Sequence, residues 1–339
     1  MPLRRLLDAQ VRLRKHAGAF FIDSFFAGLS RAGRLHPHAD PGYHGIEVLR
    51  DVAYLPGGDR EHRLDVWRPR EGGHGGTVLY VHGGGFRILS KDTHWIMALT
   101  FARRGFTVFN VGYRLAPRHP FPAAVEDVCA AYAWVARHGA SYGADLSRLV
   151  LAGESAGGNL VTALTVAACW PRPEPWARAV FDTGLVPRVT IPVCGMLQVT
   201  DPGRVRRRKP HLSRFIEDRL VEVSENYLSG PVPADPGTMD LADPLLALER
   251  TDLPERPLPA FFSAVGTRDA LLDDTRRLHA ALERRGVATE AKYYPGELHA
   301  FHALVFRPHA RQCWADTFAF LDRHLPRHDK PAEVITGTT

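Results

Sequence analysis

The sequence predicts an α/β protein, with a mostly parallel sheet and helices packed on both faces. Three observations carry the prediction. Short apolar runs that read as buried strands alternate with longer runs of helical periodicity. Two of the strands end in glycine-rich turns, His82-Gly83-Gly84-Gly85 and Gly153-Glu154-Ser155-Ala156-Gly157. The composition, 45% hydrophobic and 24% charged over 339 residues, is that of a globular chain long enough for one large domain or two ordinary ones.

Taken in order, residues 1–35 read as helical, because Ile22, Phe25, Phe26 and Leu29 follow the i, i+3, i+4, i+7 spacing. This segment packs either as core or as the lining of a lid over an apolar substrate. Ile46–Leu55 and Arg63–Arg68 read as strands, separated by the turn Pro56-Gly57-Gly58-Asp59. Thr77–Val81 is a third strand, residues 93–104 a helix, Phe106–Val111 a strand and Ala123–His138 a helix. The run Leu149-Val150-Leu151-Ala152 leads into the second glycine turn, and a stretch rich in Ala, Leu and Val leads out as a helix. Residues 170–187 are proline-rich and read as irregular, and Val189–Thr200 as the next strand. Residues 201–235 break the alternation: a basic stretch, Arg204–Lys209, reads as a solvated loop, and a helix follows around Phe215–Leu228. Leu258–Val265 returns to strand, 270–286 to helix, Thr289–Tyr294 to strand and Arg311–His324 to helix, before a polar tail from Pro326. The implied organisation is an N-terminal helical segment (1–44), a core in two parts (45–200 and 236–325) with an insertion at 201–235, and a loose tail (326–339).

The two turns carry the chemistry. A strand, a five-residue turn of small side chains and a helix form a nucleophile elbow, in which strain lifts Ser155 Oγ off the end of the sheet. The bare pentapeptide recurs by chance in roughly one chain in ten of this length, so the flanking strand and helix give it its weight. Without them it reads as an ordinary β-to-α turn or a phosphate cradle. The His82–Gly85 run is rarer, roughly one chain in a hundred. Successive glycines let backbone N–H groups approach an anion, as a tetrahedral acyl-transfer intermediate requires.

Further motifs follow in order: YRLAPRHPFPAAVED at 113–127, DALLDD at 269–274 and GELHAF at 296–301. With HGGGF at 82–86 and GESAG at 153–157, the chain resembles the bacterial esterase branch of the hormone-sensitive lipase family of α/β-hydrolases, over roughly residues 45–325. The resemblance implies an eight-stranded α/β-hydrolase fold with a helical cap. It implies a triad of Ser155 as nucleophile, Asp269 as acid and His299 as base. It also implies an oxyanion hole from the N–H groups of Gly84, Gly85 and Ala156, with Gly83 shaping the loop. The family commonly has Asp-Pro-Leu where this chain has Asp269-Ala270-Leu271. Asp273 and Asp274 read as solvated first-turn helix carboxylates, and His302 is the competitor for the base. Glu126 and Asp127 read as partners of Arg114. The resemblance also implies cis bonds at Ala116-Pro117 and Phe121-Pro122, and it sets Arg118 where relatives often carry Glu. Phe21, Phe25, Phe26 and Phe86 are the candidate substrate-binding side chains.

The expected activity is therefore hydrolysis of short- to medium-chain carboxylic esters by a serine carboxylesterase, without metal or organic cofactor. An amidase or peptidase on the same triad and a non-catalytic small-molecule receptor on the same scaffold are the alternatives. The formal charge of +6 comes almost wholly from scattered arginines, which argues against a nucleic-acid surface. The basic run is the one local exception, with attraction of anionic substrates or membrane surfaces as its other reading. Cys129, Cys169, Cys194 and Cys313 lie in apolar surroundings without C-x-x-C spacing and read as buried thiols of a reducing compartment. Asp23 and Ser24 interrupt the apolar N-terminal stretch as a signal-peptide core, and no run is long enough to span a bilayer. The expectation is a cytoplasmic protein that acts on a small-molecule ester, with no integral membrane association and with a homo-oligomer left open.

Overall fold

The computed structural model describes residues 28, 30–71, 73, 75–229 and 236–325. The expected helix at 1–35 and the expected tail from 326 fall largely outside these. Eight strands form one sheet: β1 (Ile46–Ala53), β2 (Arg63–Pro69), β3 (Gly76–Val81), β4 (Phe106–Val111), β5 (Leu149–Glu154), β6 (Val189–Val193), β7 (Ala260–Gly266) and β8 (Thr289–Tyr294). Their spatial order is β1-β2-β4-β3-β5-β6-β7-β8. β2 runs antiparallel to β1 and β4, and the remaining pairs are parallel. The four central strands, β3 to β6, are buried along their whole length, which explains their unbroken apolar runs.

The helices are α1 (Trp95–Ala102), α2 (Ala123–His138), α3 (Ala156–Cys169), α4 (Pro175–Asp182), α5 (Gly203–Arg208), α6 (Arg214–Tyr227), α7 (Pro244–Glu249), α8 (Leu272–Arg284) and α9 (Pro308–His324). They divide between two cores. Leu79 and Val81 of β3 face the side covered by α2, α3, α4 and α7, whereas Val78 and Tyr80 face α1 and α9. This is the two-residue alternation of a strand buried on both faces. The cis bonds at Ala116-Pro117 and Phe121-Pro122 are present. Asp127 grips Arg114 through the backbone N–H and the guanidinium, with Glu126 as a second partner, as expected.

Four expectations are corrected. The proline-rich segment contains a helix, α4, because Pro175 occupies the first turn, where its missing N–H costs nothing, and Ala177, Val180 and Phe181 supply a buried face. The strand expected to reach Thr200 stops at Val193. Beyond it the backbone is claimed by other partners: Met196 N–H by Ser155 O, Leu197 N–H by Asp274, and the Val199 and Thr200 N–H groups by Asp243. A buried apolar loop and a buried strand have the same composition, so periodicity does not separate them. The Arg204–Lys209 run is mostly helix rather than solvated loop, and Arg204 is only 5% exposed. Asp274 is not a solvated helix-start carboxylate but a buried one. It accepts from Arg204 Nε at 3.2 Å and from Arg204 Nη2 at 2.5 Å.

Candidate active site

β5 delivers the elbow. Ser155 sits between β5 and α3 with φ 55° and ψ −116°, a region L-residues rarely occupy. Its backbone is held on both sides: its N–H donates to Val193 O at 3.0 Å, and its carbonyl accepts from Asn159 and Met196. A side chain on Gly157 would put its Cβ 2.0 Å from Val81 O, so only glycine lets α3 start this close to β3.

β3 delivers the first glycine loop. Gly84 adopts φ 116°, and a Cβ there would lie 2.0 Å from Ile88 O. The N–H of Gly83 donates to Glu154 Oε1 at 2.6 Å, so that donor anchors the loop and is not open to a ligand. The next two residues, Gly84 and Gly85, line the cavity. Ala156 is the first residue of α3, where a helix leaves its N–H groups without intrahelical acceptors. Its side chain is fully buried, and Ala156 is not among the residues that line the cavity.

β7 and β8 position Asp269 and His299. Asp269, 1% exposed, follows β7 and is fastened by its own N–H to Gly266 O and by Leu271 N–H to its Oδ1. Lys209 Nζ donates to its carbonyl. His299 lies in the loop after β8, and its Nδ1 donates to Asp269 Oδ2 at 2.8 Å. Loss of hydration opposes the charged ring. The Asp269 carboxylate, with Cys194 beside it, outweighs that and raises the His299 pKa well above the ordinary value of 6.5. The side chain is 41% exposed, so water screens part of this effect.

A buried charged pair lies behind the elbow, and sequence reasoning missed it. Glu154, 3% exposed, accepts from Gly83 N–H, from Tyr80 Oη and from His94 Nε2, the last at 2.7 Å. His94 Nδ1 in turn lies 3.1 Å from Ser90 O. The Thr93 hydroxyl lies nearer the same nitrogen, at 2.9 Å, and the Glu154 carboxylate, which only accepts, fixes a proton on Nε2. Burial opposes charge on the His94 ring, but Glu154 raises its pKa. Burial alone would raise the Glu154 carboxyl, but its interaction with His94 holds it at about 2. His82 stacks on Tyr113 at 4.3 Å and donates from Nδ1 to Gly83 O at 2.7 Å. Burial and the neighbouring His94 push it to about 3, so it stays neutral. The signal available in the sequence was the charged residue next to Ser155. Its partner, 60 positions away, had no motif to mark it.

The cavity measures about 450 Å³ and is lined by Ser155, Asp269, His299 and Gly83 to Gly85. α6 contributes Phe215, Ile216, Leu220 and Val223 to the same lining, with Val223 packed against Gly85. A larger depression of about 660 Å³ lies among Arg103, Arg104 and Arg148, at the starting ends of the parallel strands. Ligands of open α/β sheets bind at the carboxyl ends, where Ser155 sits.

Phe86, expected as a pocket wall, is a correction. It is fully buried and stacks on Tyr227 at 3.7 Å, which pins α6 to the glycine loop. Phe21, Phe25 and Phe26 lie outside the described residues. His302, the competing base, is buried against Trp314 and pushed by that burial to about 4. It does not line the cavity.

Residues 78–303 match the family described as alpha/beta hydrolase fold. Among solved structures, a bacterial heroin esterase is 25% identical, with a TM-score of 0.71 over 90% of this chain and 91% of that one. An esterase/lipase from an uncultured bacterium is 28% identical, with a TM-score of 0.63 over 83% and 85%. An esterase of Pyrobaculum calidifontis is 25% identical, with a TM-score of 0.67 over 90% and 92%.

Proposed function

Since this chain belongs to the hormone-sensitive-lipase-like esterase/lipase family of α/β-hydrolases and is a carboxylic ester hydrolase, we propose that it works as a serine carboxylesterase through an acyl-enzyme. Ser155 Oγ attacks the ester carbonyl while His299 takes its proton. Asp269 holds the ring in the Nδ1–H form and stabilises the imidazolium. The N–H groups of Gly84, Gly85 and Ala156 receive the oxyanion. His299 then protonates the departing alcohol, and water attacks the acyl-enzyme with the same imidazole as base.

The observation that carries this reading is the convergence on one cavity of a strained serine, a carboxylate-bound histidine and a glycine loop. The substrate is a short- to medium-chain ester. The support for this is the apolar wall of Ile216, Leu220 and Val223 above the nucleophile, in a cavity of limited size. In this reading residues 201–235 act as a cap, clasped to the core by Arg204–Asp274 and Phe86–Tyr227. The four cysteines are free and buried, in keeping with a cytoplasmic setting. No helix among the described residues is long and apolar enough to cross a membrane.

A chain-length series of p-nitrophenyl esters tests the proposal. Ser155→Ala is expected to lose roughly 10⁴-fold or more in kcat with the melting curve unchanged. Wild-type kcat/KM is expected to peak among the short and medium chains. Near-normal turnover in Ser155→Ala would remove the nucleophile assignment.

A further inference from the structure

Cys194 lies beside His299 and is not used by the hydrolytic chemistry. It is the first residue after β6, is fully buried, and is held at φ 39° by its N–H bond to Ala264 O. Its Sγ, a carboxylate oxygen of Asp269 and a ring nitrogen of His299 all lie within 4.8 Å of one another. In tetrahedral zinc sites, bond lengths near 2.0–2.3 Å place such donor atoms roughly 3.4–3.6 Å apart. The sulfur therefore has to move in by at most about 1.4 Å, while the Asp269 and His299 atoms, 2.8 Å apart, open slightly to admit the ion.

We propose that Cys194, Asp269 and His299 form an inhibitory site for a borderline or soft divalent cation, Zn²⁺ or Cd²⁺. The inhibitory part rests on reading His299 as the catalytic base. The donor set selects the metal. Thiolate and imidazole suit zinc and cadmium, whereas Mg²⁺ and Ca²⁺ would find a single carboxylate. The route in is the imidazole, which is 41% exposed while both partners are buried.

On binding, the sulfur–metal bond replaces the S–H bond and its proton leaves to solvent. At a pH where His299 is neutral, as its role as base requires, the ring keeps its single proton. If the metal takes Nδ1, that proton moves to Nε2, and Nε2 no longer accepts from Ser155. If the metal takes Nε2, the accepting lone pair is itself the metal bond. Either way the base is lost, and one proton is released per ion.

The test uses the full chain. Cd²⁺ titration is expected to raise a thiolate-to-cadmium charge-transfer absorption that saturates at one equivalent. Zn²⁺ is expected to inhibit p-nitrophenyl ester hydrolysis reversibly by chelator, with Mg²⁺ at the same concentration without effect. Cys194→Ala and the nearly isosteric Cys194→Ser should abolish the band. They should also raise the zinc inhibition constant at least tenfold, each variant scored against its own metal-free rate. Cys129→Ala, in the opposite core, should keep the band. The proposal is overturned if the band is missing in wild type or persists in both Cys194 variants. It also fails if inhibition disappears instead on replacing His36 and His38, a surface pair with ring centroids 5.1 Å apart that does not line the cavity. Hydrolysis surviving in Ser155→Ala would strike the catalytic reading while leaving the cadmium band as it was.

Discussion

His299 Nδ1 donates to Asp269 Oδ2 across 2.8 Å, and that one bond sets the tautomer of the ring. With the proton on Nδ1, Nε2 is left as an acceptor. Asp269→Asn presents an amide in place of the carboxylate and loses this control. The expected outcome is a fall in kcat on the order of 10⁴-fold with the thermal melt near wild type, read by steady-state kinetics and circular dichroism.

The same contact sets the pH profile. His299 must be neutral to act as base, and its pKa is raised above 6.5 by the carboxylate acting against burial. A higher pKa keeps the ring protonated to higher pH, so the acidic limb of kcat/KM is expected above 6.5. In Asp269→Asn the residual activity should show a limb displaced to lower pH. A wild-type limb at or below 6.5 would contradict the assignment.

Glu154 and His94 hold the glycine loop proposed as the oxyanion hole, through Gly83 N–H. His94→Gln keeps a donor but removes the charge. It is expected to lower kcat on the order of 10²-fold, the scale of one oxyanion donor, with KM within a few-fold. The pair also marks stability. The Glu154 carboxyl, depressed from 4.5 to about 2, contributes above pH 4.5 and loses its contribution as pH falls toward 2. His94, raised from 6.5, contributes fully below 6.5 and loses its contribution as pH rises through its folded value. The gap in urea midpoint between wild type and Glu154→Gln should therefore be widest between pH 4.5 and 6.5.

Arg204 and Asp274 form a buried pair between α5 and α8. Removing one partner strands the other charge. Arg204→Ala is expected to destabilise the chain by about 3–5 kcal/mol, and Arg204→Met with Asp274→Leu by much less. Chemical denaturation of the two variants checks this.

Where motifs and strands coincide, the sequence was readable. The bounds of β4 and α2 and the order of Ser155, Asp269 and His299 follow from periodicity and turn chemistry that act over a few residues. The end of β6 was not readable, because Asp243 and Asp274 reach in from distant segments to take backbone donors that a longer strand would have used. Phe86 was misjudged for a similar reason. Its neighbour in sequence is the oxyanion loop, but its partner in space is Tyr227, more than a hundred residues away.

The sequence alone therefore determined the fold class and the elbow, since both rest on local sterics at a strand end, and its resemblance to a family singled out Asp269 and His299 beside Ser155. The tertiary structure alone decided that His94 backs Glu154, that Arg204 turns inward and that Cys194 sits beside His299. Those contacts depend on which strands lie side by side. With β6 between β5 and β7, the first residue past β6 emerges between the ends of the strands that lead to Ser155 and Asp269. No local pattern records that adjacency.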